Sequence, residues 1–189
     1  MSRWEPNARG RLAEAALALY GEHGFEQTTA AEIAKRAGLT ERTFFRHFAD
    51  KREVLFGGGE LAEIVVGGAL GAPEGVTPIE MVAAALEATG AMFEDRHAFA
   101  RQRQAIILAN AELLERELIK MASLASALAD ALRRRGVPEI AANLTAEVGV
   151  AVFRVAFERW VKEDDVTERD LPWFIRQSLG ELKTVTSGT

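Results

Sequence analysis

The sequence predicts an all-α protein, with an N-terminal three-helix helix-turn-helix head and a C-terminal antiparallel helical bundle, about nine helices in all. Three observations carry this expectation. The chain of 189 residues is 48% hydrophobic and rich in Ala, Leu and Glu, with one Tyr and few β-branched runs, which favours helix over sheet. Apolar residues recur at helical spacing through most long segments. Capping residues and turn glycines bracket short helices near the N-terminus.

The first helix is expected from Asn7 to about His23, with Leu12, Ala16 and Tyr20 in one row and Gly24 as its stop. Phe25 then packs back into the head. Thr29 followed by Glu32 forms a capping box, so the second helix begins near Ala30, and Ile33, Ala34 and Ala37 supply its apolar side. Gly38 can take positive φ and turn the chain. Thr40 caps the third helix, Glu41–His47, in which Phe44 and Phe48 share one side and Glu41, Arg42, Thr43, Phe45, Arg46 and His47 occupy the rest. Leu12, Ala16, Ile33, Leu39, Phe44 and Phe48 are the expected core of this head. Two short helices joined by a turn containing Gly, the second presenting polar and aromatic groups, describe a DNA-reading helix-turn-helix.

Asp50 and Glu53 repeat the capping-box spacing and should open a fourth helix with Lys51 at its first position, where ammonium and free backbone N–H groups can meet one phosphate. That helix would contain Gly57-Gly58-Gly59, each costing about 1 kcal/mol relative to Ala. The run reads either as a hinge between head and body or as a place of close helix packing. Gly67 to Pro78 reads as a loop, and further helices are expected over 79–93, 96–109, 111–135, 138–162 and 171–185. The helix from Pro138 has two apolar rows. One is Leu144, Val148, Val152 and Val155, and the other is Val150, Phe153, Phe157 and Trp160. Two rows imply burial on both sides, and the last helix, with Phe174, Ile175 and Leu179, offers a match.

The segments LAEAALALYGEHGFEQTT (12–29) and AEIAKRAGLTERTFFRHFADKREVL (31–55) resemble the tetracycline-repressor (TetR) family of one-component regulators. The resemblance implies a head at 1–52, extending into the start of the fourth helix, and a ligand-binding and dimerisation domain at 53–189. It also implies dimerisation through the last two long helices, with Val150, Phe153, Phe157, Trp160, Phe174, Ile175 and Leu179 as the expected interface. By the same resemblance, Thr29, Thr43, Phe45, His47 and Lys51 approach DNA. Phe45 stands where the family usually has Tyr, which removes a phenolic contact. Ala31 stands where many members carry a polar residue, which shifts base reading toward Arg42. Residues 101–132 resemble a subgroup linked to acyl-CoA-like ligands.

Residue chemistry supports the same assignment. Arg42 can bond the O6 and N7 acceptors of guanine, Glu41 can accept from a cytosine amine or simply favour the helix start, and Thr43 can touch a thymine methyl or a phosphate. Residues 1–52 hold nine Lys/Arg against seven Asp/Glu, whereas 53–189 hold fourteen against twenty-one. A mildly basic head on an acidic body suits local contacts to DNA and helps to orient the approach. In the body, Met92, Phe93, Ile107, Met121 and Phe157 are candidate lining of an apolar effector pocket. Arg103, in a local basic cluster with Arg96 and Arg101, is a candidate for an anionic head group.

Other classes fit less well. Without Cys there is neither a disulfide framework nor a thiolate metal site. Glu94 and His97 show the spacing of carboxylate-bridged metal bundles, but His23 and His47 lie in no such motif, so no metal or other cofactor is expected. No phosphate-binding glycine loop and no nucleophile elbow is present, and no enzyme is expected. No apolar run approaches a membrane span, and a cytoplasmic location is expected. The competing class is a helical dimeric interaction or sensing module without DNA binding, which leaves Arg42 and Lys51 unexplained. The expected function is a dimeric regulator, a repressor at a near-palindromic operator that is released by a small, largely apolar effector.

Overall fold

Side-chain caps start the first helices where the sequence places them. The computed structural model describes residues 7–57, 59–164 and 169–187. Asn7 accepts the N–H of Gly10 at 3.0 Å and opens α1 (Ala8–His23). Thr29 and Glu32 close their capping box at α2 (Ala30–Arg36), and Thr40 accepts the N–H of Thr43 to open α3 (Glu41–His47). Beyond them lie a 3-10 turn (Glu53–Leu55) and α4 (Glu60–Gly71), α5 (Pro78–Glu87), α6 (Gly90–Phe93), α7 (His97–Leu108), α8 (Ala111–Arg134), α9 (Glu139–Trp160) and α10 (Leu171–Ser187). The described residues contain no strand.

The chain divides into two compact units. The first runs to Gly58 and takes in residues 102–117, the end of α7 and the start of α8; the second holds 59–101 and 118–189. Beyond the expected 1–52, the first unit takes in the 3-10 turn and a helical hairpin that the sequence pattern assigned to the body. In the first unit Leu12, Ala16, Tyr20, Phe25, Ile33, Phe44 and Phe48 are buried, as are Ile106, Ile107 and Leu113 of the hairpin. Leu39, expected in this core, is half-buried. Each large apolar side chain fully buried here contributes about 1.5–3 kcal/mol.

The fourth helix differs from expectation. Asp50 does accept the N–H groups of Arg52 and Glu53, but only three residues of 3-10 turn follow. Gly57 (φ +64°) and Gly59 (φ +102°) interrupt the chain before α4, and Gly58 lies outside the described residues. A Cβ on Gly59 would meet no atom within 4 Å, so this glycine serves its backbone conformation and not close packing.

In the second unit α9 packs on α10 and α5, α5 also on α4 and α10. The expected loop at 67–78 shrinks, since α4 continues to Gly71. Gly68 sits inside it, where an added Cβ would lie 2.7 Å from the Ala85 backbone. Arg135 donates to the carbonyls of Leu70 (2.7 Å) and Pro73 (2.9 Å) and so satisfies the end of α4. The Thr77 N–H and hydroxyl both donate to Glu80 at 2.7 Å, starting α5 one residue earlier than expected.

The expected interface residues already have partners within the chain. Val150, Phe153, Phe157 and Trp160 of α9, and Phe174, Ile175 and Leu179 of α10, are all buried within this single chain. They are the seam along which α9 and α10 pack on their own bundle. The other row splits: Leu144 is 64% and Val155 47% exposed and Val148 half-buried, whereas Val152 is buried in the core; Ile140, on the same helix, is also exposed. This two-sided apolarity gives α9 a mean hydropathy of 1.5 over its best window, long and apolar enough for a membrane span, although one side is core of the bundle.

Candidate nucleic-acid interface

The turn between α2 and α3 is built to hold one geometry. Leu39 donates its N–H to Ala34 O at 2.8 Å and Gly38 to Lys35 O at 3.0 Å, with Gly38 at φ +67°. This closes α2 in the Schellman manner. The Arg11 guanidinium donates to Ala37 O and satisfies a further carbonyl of that terminus. A cleft beside it is lined by Arg11, Glu14, Ala15, Ala18, Arg36, Ala37 and Gly38. Its two guanidinium groups are already engaged, since Arg36 pairs bidentately with Glu22 at 2.7 and 2.9 Å.

Phe44 is fully buried and anchors α3 to the core. Because successive residues turn by about 100°, anchoring Phe44 leaves Glu41, Arg42, Phe45 and Arg46 exposed. Arg42 and Arg46 form one row a helical turn apart and make no ion pair among the described residues. Phe45 is 54% exposed, with its ring edge-on to Phe44 at 5.3 Å. The Thr43 hydroxyl lies 2.9 Å from that of Thr40. Thr29 is exposed, but its hydroxyl and N–H bond Glu32, whose carboxyl these bonds hold below the usual range. Arg46 and Arg9, whose guanidinium lies 4.9 Å over the Phe48 ring, were absent from the sequence-derived site. The one-turn spacing from Arg42 was the available signal for Arg46; nothing local in the sequence marked Arg9.

His47 is half-buried, and its Nε2 is buried without a hydrogen-bond partner. Burial, then the positive charges of Arg46 and Arg9, push its pKa below the usual imidazole value. Lys51 also departs from expectation. Its ammonium faces the carbonyl oxygens of Phe25 (2.8 Å), Glu26 (3.1 Å) and Thr28 (3.2 Å) and lies over the Phe25 ring. Three N–H donors thus meet three internal acceptors, so the side chain expected at a phosphate instead ties down the loop before α2.

Of the six expected pocket residues, Arg103 and Ile107 lie in the first unit and Met92, Phe93, Met121 and Phe157 in the second. Ile107 is fully buried, and Arg103 is committed to Leu55 O and Glu117, both in the first unit. In the second unit Phe93 meets Phe157 at 5.5 Å and Trp160 at 5.7 Å, Met121 packs against the core, and Met92 is half-buried. His97 joins this aromatic cluster through Trp160, with Nε2 2.9 Å from its carbonyl oxygen. Arg101 pairs with Asp164 and Arg96 stacks on Phe99, so both side chains already have partners. The described residues contain no cluster of His, Asp and Glu able to hold a metal.

Comparison with known proteins agrees with this geometry. Residues 12–56 match the family described as bacterial regulatory proteins, tetR family, and residues 76–187 match the MftR C-terminal domain. The putative mycofactocin biosynthesis transcriptional regulator MftR of Mycobacterium tuberculosis is 24% identical over 160 residues, 82% of this chain and 81% of that protein. In fold, the chain is similar to SmeT of Stenotrophomonas maltophilia in its triclosan complex, with a TM-score of 0.63, 21% identity and coverage of 94% and 90% of the two chains. It is also similar to the fatty acid degradation regulator FadR of Bacillus halodurans, with a TM-score of 0.58, 18% identity and coverage of 92% and 96%. With its reading helix exposed and both segments matched, the chain belongs to the TetR family of regulators, with an MftR-type C-terminal domain, and is a non-enzymatic, DNA-binding transcriptional regulator.

Proposed function

We propose that this regulator is a cytoplasmic repressor that binds a near-palindromic operator as a homodimer and is released by a small, largely apolar effector of the acyl-CoA type. The observation that carries the operator reading is Arg42, exposed at the second position of α3 with its guanidinium uncommitted. It is free to take the two acceptors of a guanine edge. Phe45 supplies apolar contact beside it, and Arg46 with Arg9 supplies positive charge for the backbone. Glu41, Thr29, Thr43 and His47 stand around that row; Lys51 acts from inside the head.

Dimerisation is supported by the outward side of α9, where Ile140, Leu144 and Val155 are exposed apolar side chains. A twofold dimer carries two α3 helices and favours a site of matching symmetry. The effector class draws on the apolar aromatic cluster around Phe93 and Phe157, on the resemblance of residues 101–132, and on FadR, which its name links to fatty acid degradation. Such an effector acts only through a difference in affinity between two head arrangements.

The test is selection of duplexes from a random library, followed by fluorescence anisotropy with wild type and Arg42→Ala. A near-palindrome should emerge, and the variant should lose about 1–3 kcal/mol on it while binding scrambled duplex almost unchanged. Retained selectivity would remove Arg42 from the reading role. Palmitoyl-CoA and shorter acyl-CoAs are then added to the complex, and failure of all to release DNA would eliminate that effector class.

A further inference from the structure

The hairpin formed by residues 102–117 belongs to the reading unit, yet both its helices continue into the other unit. Arg103 is where it grips the head. This side chain is 15% exposed, and its Nε donates to the carbonyl oxygen of Leu55 at 2.6 Å. Its two terminal nitrogens donate to the Glu117 carboxylate at 2.8 and 3.3 Å, and the guanidinium lies 5.2 Å from the centre of the Phe56 ring. Leu55 ends the 3-10 turn. Glu53, which begins the turn, pairs with Arg116 of the same hairpin. The turn is therefore held at both ends by α7 and α8.

The contacts continue toward DNA. Two residues before the turn, Lys51 binds the carbonyls of Phe25, Glu26 and Thr28, and the next residue, Thr29, caps α2 of the reading motif. From Arg103 to the α2 cap, every step is a covalent neighbour or a hydrogen bond inside one compact unit. Arg103 can fill this place because its planar fork bonds a carboxylate bidentately while Nε reaches a third acceptor; a Lys ammonium has no such geometry.

We propose that Arg103, clamped by Glu117, is a positioning residue for operator reading, which fixes the helix-turn-helix to the α7–α8 hairpin without touching DNA. The proposal rests on the operator reading above, since a dimer must hold both heads at one spacing to use two half-sites.

Glu117→Gln decides the matter by sign. Removing a negative charge favours DNA binding by simple electrostatics, whereas loss of the clasp weakens specific binding. On the selected near-palindrome, the full-length variant should bind about tenfold more weakly, a change of about 1.4 kcal/mol. Its affinity for scrambled duplex should not fall. Arg103→Lys should lose part of the same affinity. Amide hydrogen exchange should quicken over 53–56 and 25–29 and stay unchanged in α9. Equal or tighter binding by Glu117→Gln, or exchange that rises throughout the chain, would overturn the proposal. If wild type selects no near-palindrome, the operator reading fails, and exchange alone then judges the clasp: a local rise upholds it, and none refutes it.

Discussion

The Lys51 ammonium sits 2.8 Å from the Phe25 carbonyl oxygen and 4.4 Å from the centre of the same residue's ring, so one side chain holds both the backbone and the face of Phe25. Hydrogen bonds from a charged donor contribute about 1.5–3 kcal/mol when they replace solvation well. Lys51→Ala should therefore lower the melting temperature and weaken operator binding through the head's stability. A lysine bound to phosphate would add about 0.9 to the slope of log affinity against log salt. The arrangement here predicts no such term, so wild type and Lys51→Ala should show the same slope. A slope shallower by about one in the variant would return Lys51 to the DNA surface.

Gly38 and Arg11 form a second tight relationship. At φ +67° an L-residue carries strain of about 1–2 kcal/mol, and a Cβ there would lie 2.9 Å from the Arg11 guanidinium. Gly38→Ala should therefore destabilise the head by at least that strain in urea denaturation. Adding Arg11→Ala should relieve the steric part and leave the backbone part, so the two changes should be less than additive. Full additivity would show that the guanidinium moves aside freely.

The sequence made the helices legible because their signals are local. Thr29 with Glu32, Thr40 and Gly38 each act on neighbours within a turn, and their caps are found where expected. The core of the head was legible for the same reason, since Leu12, Ile33, Phe44 and Phe48 obey helical spacing. What sequence could not supply was the choice between equivalent partners. Two apolar rows on α9 are interchangeable until α10 and α5 occupy one of them, and the row with the larger aromatics turned inward. Lys51 and Arg103 were placed by type, as cations awaiting anions. Backbone carbonyls and Glu117 took them, and acceptors 14 to 48 residues away leave no mark on local sequence. The glycines before α4 looked like a weak helix, whereas positive φ at Gly57 and Gly59 ends helical structure there.

His47 gives the head a pH dependence of definite sign. Its folded pKa lies below the ordinary 6.5, owing first to burial and then to Arg46 and Arg9. The unfolded chain therefore binds the proton more readily, and stability should fall as pH drops through about 6.5. It should level off below the folded value. Melting temperatures of wild type and His47→Gln between pH 8 and pH 5 test this, because the variant should lack that component of the decline. Parallel curves would mean that His47 protonates as easily in the folded head as in the unfolded chain.

The two faces of α9 should respond to mutation in opposite ways. Phe153 is buried against Phe157, with ring centres 5.9 Å apart, and its truncation to Ala should cost about 3–5 kcal/mol of stability. Leu144 and Val155 are exposed, so Leu144→Arg with Val155→Glu should leave the fold of one chain intact. If the outward side of α9 is the dimer seam, this pair should shift sedimentation from dimer to monomer at micromolar concentration and abolish tight operator binding. Circular dichroism should still report full helix content. A charge pair that leaves the dimer intact would move the seam elsewhere, because an Arg and a Glu cannot be desolvated in an apolar interface without a cost of several kcal/mol unless they find partners.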